Sequence, residues 1–100
     1  MTESEECNGW TNWETWNINL WLANDEGLYY ETLRMCDKDL NPHEYEFQRR
    51  EELELWVDEL MDENIIKDKV SLHRVNWKEI VDSWQDQIEE NKRYEEEQKA

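Results

Sequence analysis

Seven tryptophans are set in a chain of 100 residues whose 27 acidic side chains face only 11 basic ones. Four of them, Trp10, Trp13, Trp16 and Trp21, fall within residues 8–30, NGWTNWETWNINLWLANDEGLYY. That stretch is the strongest constraint on the fold. A net charge of −16 works against any compact state, so large apolar side chains must oppose it. A buried indole removes roughly 200 Å² from water.

Low hydrophobicity with high net charge also marks disorder. Periodic apolar residues argue against it for most of this chain. Flexible chain is expected only at residues 1–6 and about 92–100. The length fits one domain.

Asn8-Gly9 is a turn dipeptide, because Gly accepts positive φ at no steric cost. Thr11 with Glu14 fits a capping box. Trp13, Trp16 and Leu20 recur at i, i+3 and i+7 with Trp21 beside them, which predicts one buried helical face. Trp10 precedes that helix and is the tryptophan expected to be partly exposed. Asn24-Asp25-Glu26-Gly27 interrupts the pattern. A second helix is expected over 27–40 on the stripe Tyr29, Leu33, Cys36 and Leu40.

Asn41-Pro42 ends that helix and suits the start of a third, with Asn41 as its cap. The third should run over 42–63 with Leu53, Trp56, Val57, Leu60 and Met61 inward, and Asn64 as C-terminal cap. Arg49 and Arg50 should bridge to acids one turn away. Residues 65–75, IIKDKVSLHRV, form the net basic segment. A short helix, a short strand and an ordered loop are all open there. The helical surroundings favour the helix. The last helix begins at Asn76, with Glu79 completing a box and Val75 and Ile80 forming a staple. Trp77, Ile80, Val81, Trp84 and Ile88 are its core face. The whole reads as all-α: a compact single-domain bundle of about four main helices with a tryptophan-rich core.

The acids follow a pattern. Glu51, Glu54, Asp58 and Asp62 run up the third helix opposite its apolar face, and Glu52, Glu59 and Glu63 form a second row. Glu79, Asp82, Asp86 and Glu90 repeat the spacing on the last helix. Neighbours three or four apart on a helix lie about 5–6 Å from each other, close to the separation of adjacent phosphates on a nucleic-acid strand. Two such rows on one convex surface would present charge as a duplex does. Acids opposite a core stripe are also what any amphipathic helix requires. Against that plain reading stand the many repulsive i, i+4 pairs and Leu55, which projects from the middle of the acidic face where a contact anchor would sit.

Charge of this sign argues against nucleic acid or an anionic membrane as direct ligand. It favours a basic partner, such as a protein groove that normally holds nucleic acid. No signal peptide and no transmembrane run is read. Cys7 and Cys36 lack framework spacing and read as free thiols of a reducing, cytoplasmic compartment. No catalytic constellation stands out. Ser71 and His73 are close only in sequence, and His43, Glu44, Cys36 and Cys7 match no zinc spacing. Neither a Gly-rich phosphate loop nor an EF-hand loop is present. No cofactor or metal is expected.

The stretch NGWTNWETWNINLWLANDEG resembles the opening motif, of the form NGWTNxETWNxxLWLxNDEG, of a largely uncharacterised family of small proteins from bacteriophages, plasmids and some bacterial and archaeal genomes. VNWKEIVDSW, residues 75–84, resembles their later VNWxEI segment. The two matches cover about a third of the chain. The resemblance implies a mobile-element setting and brings no catalytic residues with it. The acid-rich third helix lies outside the motif. By analogy of setting and charge, the expectation is a non-enzymatic DNA mimic that inhibits a host CRISPR effector or restriction enzyme. Glu51, Glu52, Glu54, Asp58, Glu59, Asp62 and Glu63, with Glu79, Asp82, Asp86 and Glu90, would meet Lys and Arg of the target, and Leu55 would anchor. The alternative is a structural or regulatory adaptor that binds through its tryptophan-rich face, with the acids serving solubility.

Overall fold

The computed structural model describes residues 7–99; the flexible end expected at 1–6, and Ala100, lie outside them. Asn8 (φ 51°) and Gly9 (φ 89°) both take left-handed backbone, as a two-residue type I′ turn requires. Cys7 and Trp10 exchange two 2.9 Å backbone hydrogen bonds across it.

Helix α1, Trp13–Asn24, is capped by Asn12 rather than Thr11. Asn12 Oδ1 accepts from the Thr15 amide at 2.9 Å and from the Thr15 hydroxyl at 2.6 Å. The Thr11 amide instead donates to Glu79 Oε1 at 3.0 Å. Glu14 pairs with Arg74 at 3.0 Å, so the expected box does not form.

The face of α1 is turned as well. Thr15, Ile18 and Leu22, also at i, i+3 and i+7, form the buried stripe. Trp13 is 47% exposed and Leu20 37%, which corrects the expected core face. Two stripes compete in this sequence, and the less aromatic one is buried. The Thr15 hydroxyl is needed inside, where it accepts from the Asn76 amide at 2.9 Å.

Helix α2, Glu26–Cys36, starts on Asp25, whose Oδ1 accepts from the Leu28 amide at 3.0 Å. Leu28, Thr32, Met35 and Cys36 are buried, and Tyr29 and Leu33 pack against the core. The helix ends four residues before the expected Leu40, which is 66% exposed. Asp37 turns the chain there: its Oδ1 accepts from the Asp39 amide at 2.9 Å, a local bond that competes with the helical ladder.

Helix α3, Glu46–Asp62, starts later than Pro42, on Tyr45. Asn41 is not its cap, because its side-chain amide donates to Met35 O at 2.9 Å and Glu52 Oε1 at 2.8 Å. The buried Arg49 pairs with Glu46 one turn away, as expected, and also donates to the carbonyls of Met35 and Asn41, whereas Arg50 makes no ion pair among the described residues. One guanidinium thus clamps the end of α2 and the following turn onto α3. Leu53, Val57, Leu60 and Met61 are buried, with Trp56 packed beside them. Asn64 (φ 61°) closes the C-terminal turn in left-handed backbone.

Residues 65–75 are an ordered loop with one 3-10 turn, Leu72–Arg74, rather than an α-helix. Buried Ile66, Val70 and Val75 anchor it by their side chains, so it needs no helical ladder.

Helix α4, Trp77–Lys99, starts at Asn76, whose Oδ1 accepts from the Glu79 amide at 3.1 Å. Glu79 does not complete the box, since its carboxylate holds Thr11. Val75 and Ile80 are both buried across this cap, and so is the whole expected face, Trp77, Ile80, Val81, Trp84 and Ile88. The helix continues through residues 92–99, where flexible chain was expected.

The described chain is therefore an all-α single domain. Trp77 and Trp84 are buried, while Trp10, Trp21 and Trp56 pack against the core from its margin. Trp84 Nε1 donates to Asn19 Oδ1 at 2.7 Å, and its ring lies 5.4 Å from that of Tyr29, joining α1, α2 and α4. The starts of α1 and α4 are cross-braced through Thr11, Asn12, Thr15, Asn76 and Glu79.

Candidate functional site

With Leu53, Val57 and Leu60 turned into the core, α3 must direct its remaining positions outward. Glu51, Asp58, Glu59, Asp62 and Glu63 are exposed and Glu54 half-exposed. Leu55 stands among them at 69% exposed. Glu51, Glu54, Leu55 and Asp58 border one groove, whose far side is Leu72 and His73 of the loop.

The acids differ in what already holds them. Glu52 Oε1 accepts from Asn41 Nδ2 at 2.8 Å and lies 3.3 Å from His43 Nε2, so it braces the turn before α3. On α4, Glu79 holds Thr11, and Asp82 pairs with Lys78 at 2.7 Å. Among the described residues, Glu51, Glu54, Asp58, Glu59, Asp62, Glu63, Asp86 and Glu90 have no salt-bridge partner within 4.0 Å. Glu79, Asp82 and Asp86 border a different groove, with Thr11, Asn76, Lys78 and Ser83. The two rows thus line separate grooves, and the α3 row carries more of the uncompensated charge.

Ser71 Oγ lies 3.0 Å from His73 Nε2, with both residues exposed. Cys7 and Cys36 are free thiols, and burial pushes the Cys36 thiol up to about 12, which leaves it protonated. Among the described residues, no three His, Cys, Asp or Glu side chains come together to hold a metal ion. No described helix is long and apolar enough to cross a membrane.

A second feature escaped the sequence reading. Asp68 sits over α1, where its Oδ2 accepts from Asn17 Nδ2 at 3.0 Å and Trp21 Nε1 at 3.1 Å. These bonds hold its carboxyl below the usual carboxylate range. Asp68, Asn17, Trp21, Leu20 and Asn24 line a cleft of about 280 Å³. In the sequence, Asp68 was only the lone acid of a basic segment. Nothing local links it to Asn17, 51 residues earlier.

Fold and surface together define a small acidic all-α domain whose third helix presents, around an exposed leucine, carboxylates that have no cationic partner among the described residues. Residues 3–99 match the family of unknown function DUF7249, and the chain belongs to that family. No curated protein and no solved structure matches it.

Proposed function

We propose that this chain is a non-enzymatic binding protein of a mobile element that acts in the host cytoplasm as a DNA mimic. It inhibits a host nucleic-acid-binding defence enzyme, a CRISPR effector or a restriction enzyme, by occupying its basic groove. The observation that carries this reading is the outward face of α3: Glu51, Glu54, Asp58, Glu59, Asp62 and Glu63 without cationic partners among the described residues, around a Leu55 that is 69% exposed. Repulsive neighbours on a helix cost a few tenths of a kcal/mol per pair. A face that keeps them unrelieved holds a concentrated negative field, which steers a basic partner onto it. Leu55 supplies the desolvated contact that charge alone lacks. Asp86 and Glu90 extend the field along α4. Glu52, Glu79 and Asp82 belong to the candidate contact set too, but their internal bonds make them weaker members.

The test is the Asp58→Lys/Asp62→Lys double variant. Both positions are exposed, so helicity should be retained while inhibition is abolished. A Glu95→Lys/Glu97→Lys control carries the same charge change on the exposed end of α4 and should still inhibit. Full inhibition by the α3 variant would sink the acid-row reading.

The adaptor reading has its own support, since Trp13 is 47%, Leu20 37% and Tyr30 62% exposed. Under it, Trp13→Ala or Tyr30→Ala would abolish partner binding, and salt would matter little.

A further inference from the structure

The cleft over α1 sets one exposed carboxylate, that of Asp68, among mostly apolar walls. Trp21 Nε1 and one N–H of Asn17 Nδ2 donate to Asp68 Oδ2. Asp68 Oδ1 accepts no hydrogen bond from any described residue, and no described cation pairs with this carboxylate. Asn17 is 5% exposed, and its Oδ1 is buried with no hydrogen-bond partner. In a protein interior such an orphan acceptor is uncommon and asks for an explanation. Asn17 is among the residues that line this cleft, but the buried oxygen itself is closed to a ligand. The carboxamide of Asn24 stands at the exposed rim, and the remaining walls are the Trp21 indole and Leu20.

Two donors thus fix an exposed carboxylate beside an aromatic wall, with its Oδ1 left over. The complement is a planar cation rich in donors, on an aliphatic stem. We infer that this cleft is an arginine slot: it receives an arginine side chain of a partner protein. The guanidinium pairs with Asp68 and stacks on Trp21, and its methylenes lie on Leu20. Guanidinium suits this setting better than ammonium, because its flat fork serves a carboxylate and an indole face together and is less strongly hydrated. Charge complementarity selects the occupant, since a chain of net charge −16 repels any anionic one. Outward-facing Trp13, two helical turns before Leu20, extends the apolar contact to the segment that carries the arginine. The inference is independent of the α3 acid rows, for Asp68 belongs to the following loop.

The test uses N-acetyl-arginine N-methylamide as probe, titrated into the full chain and followed by the Trp21 indole N–H resonance in NMR. The lysine and citrulline analogues serve as comparators. Arginine should shift that resonance saturably, lysine should bind several-fold more weakly, and neutral citrulline should leave it unmoved. Asp68→Asn keeps an oxygen to accept from Asn17 and Trp21, so it holds the fold. It should weaken the arginine probe by about tenfold or more, the size expected for losing a charge-assisted hydrogen bond. No arginine response, equal responses to arginine and lysine, or an undiminished response in Asp68→Asn would each overturn the assignment. An Asp58→Lys/Asp62→Lys chain should bind the probe normally, so failure of the acid-row reading is told apart from failure of this one.

Discussion

Thr15 shows how much one polar side chain decides. It is fully buried, donates to Asn12 Oδ1 and accepts from the Asn76 amide. The caps of α1 and α4 therefore meet at one hydroxyl. Thr15→Val keeps the shape and removes the hydroxyl, leaving the Asn76 amide unpaired. It should cost about 2 kcal/mol in the urea unfolding free energy, whereas Thr15→Ser should retain the polar contacts and lose less. A Thr15→Val protein as stable as the parent would mean that water replaces the hydroxyl. The sequence did not reveal this role. Thr11 and Asn12 are both good caps by type, and only the distant Asn76 and Glu79 decide between them. Burying Thr15 then turns Trp13 and Leu20 outward, although their spacing is a core spacing. A bridge from Arg49 to an acid one turn away was legible, but its hold on the carbonyls of Met35 and Asn41 was not, because those contacts depend on how α2 ends.

At the scale of elements, α3 and α4 were the most readable. Apart from the buried Arg49, their inward faces are apolar, and their outward faces are mostly charged, so the core stripe was visible in each. The acid rows were legible for the same reason. What sequence could not supply was their relation: the rows line separate grooves, because each faces away from the core on its own helix. The loop 65–75 was unreadable by period, since Ile66, Val70 and Val75 anchor it singly, and with it went the Asp68 cleft. Leu55 stands on the outward face of α3, away from the core stripe. At 69% exposed it contributes little to packing, so Leu55→Ser should change unfolding free energy by less than about 0.5 kcal/mol. Partner affinity should nonetheless fall by about tenfold or more, as for a truncated contact anchor. A drop in stability without a drop in affinity would assign Leu55 to the fold instead.

Across the whole molecule, repulsion among carboxylates is opposed by a few placed cations. Lys92 Nζ reaches Asp37 Oδ1 at 3.1 Å and Asp39 Oδ2 at 2.9 Å, fastening α4 to the end of α2. Partial burial disfavours the Asp37 charge, but the Asp39 amide and the Lys92 ammonium outweigh it, and its carboxyl sits below the ordinary range. A depressed folded-state value stabilises the fold above the unfolded carboxylate range, near pH 4. That contribution disappears as pH falls through the folded value. Asp37→Asn should therefore lower the urea midpoint at neutral pH, and the gap to the parent should shrink on acidification. A gap of constant size would place its origin in packing.

The most direct test of the acidic-face account is capture of the host target on the tagged protein at about 0.15 M and again at about 1 M salt, with and without competing duplex DNA. Between those conditions the Debye length falls from about 8 Å to about 3 Å. A DNA mimic should capture a nucleic-acid-binding enzyme at low salt, release it to high salt and to DNA, and fail to hold it on Asp58→Lys/Asp62→Lys beads. A partner that survives high salt, ignores DNA and still binds the double variant would contradict it, and would move the contact to Trp13, Leu20 and Tyr30.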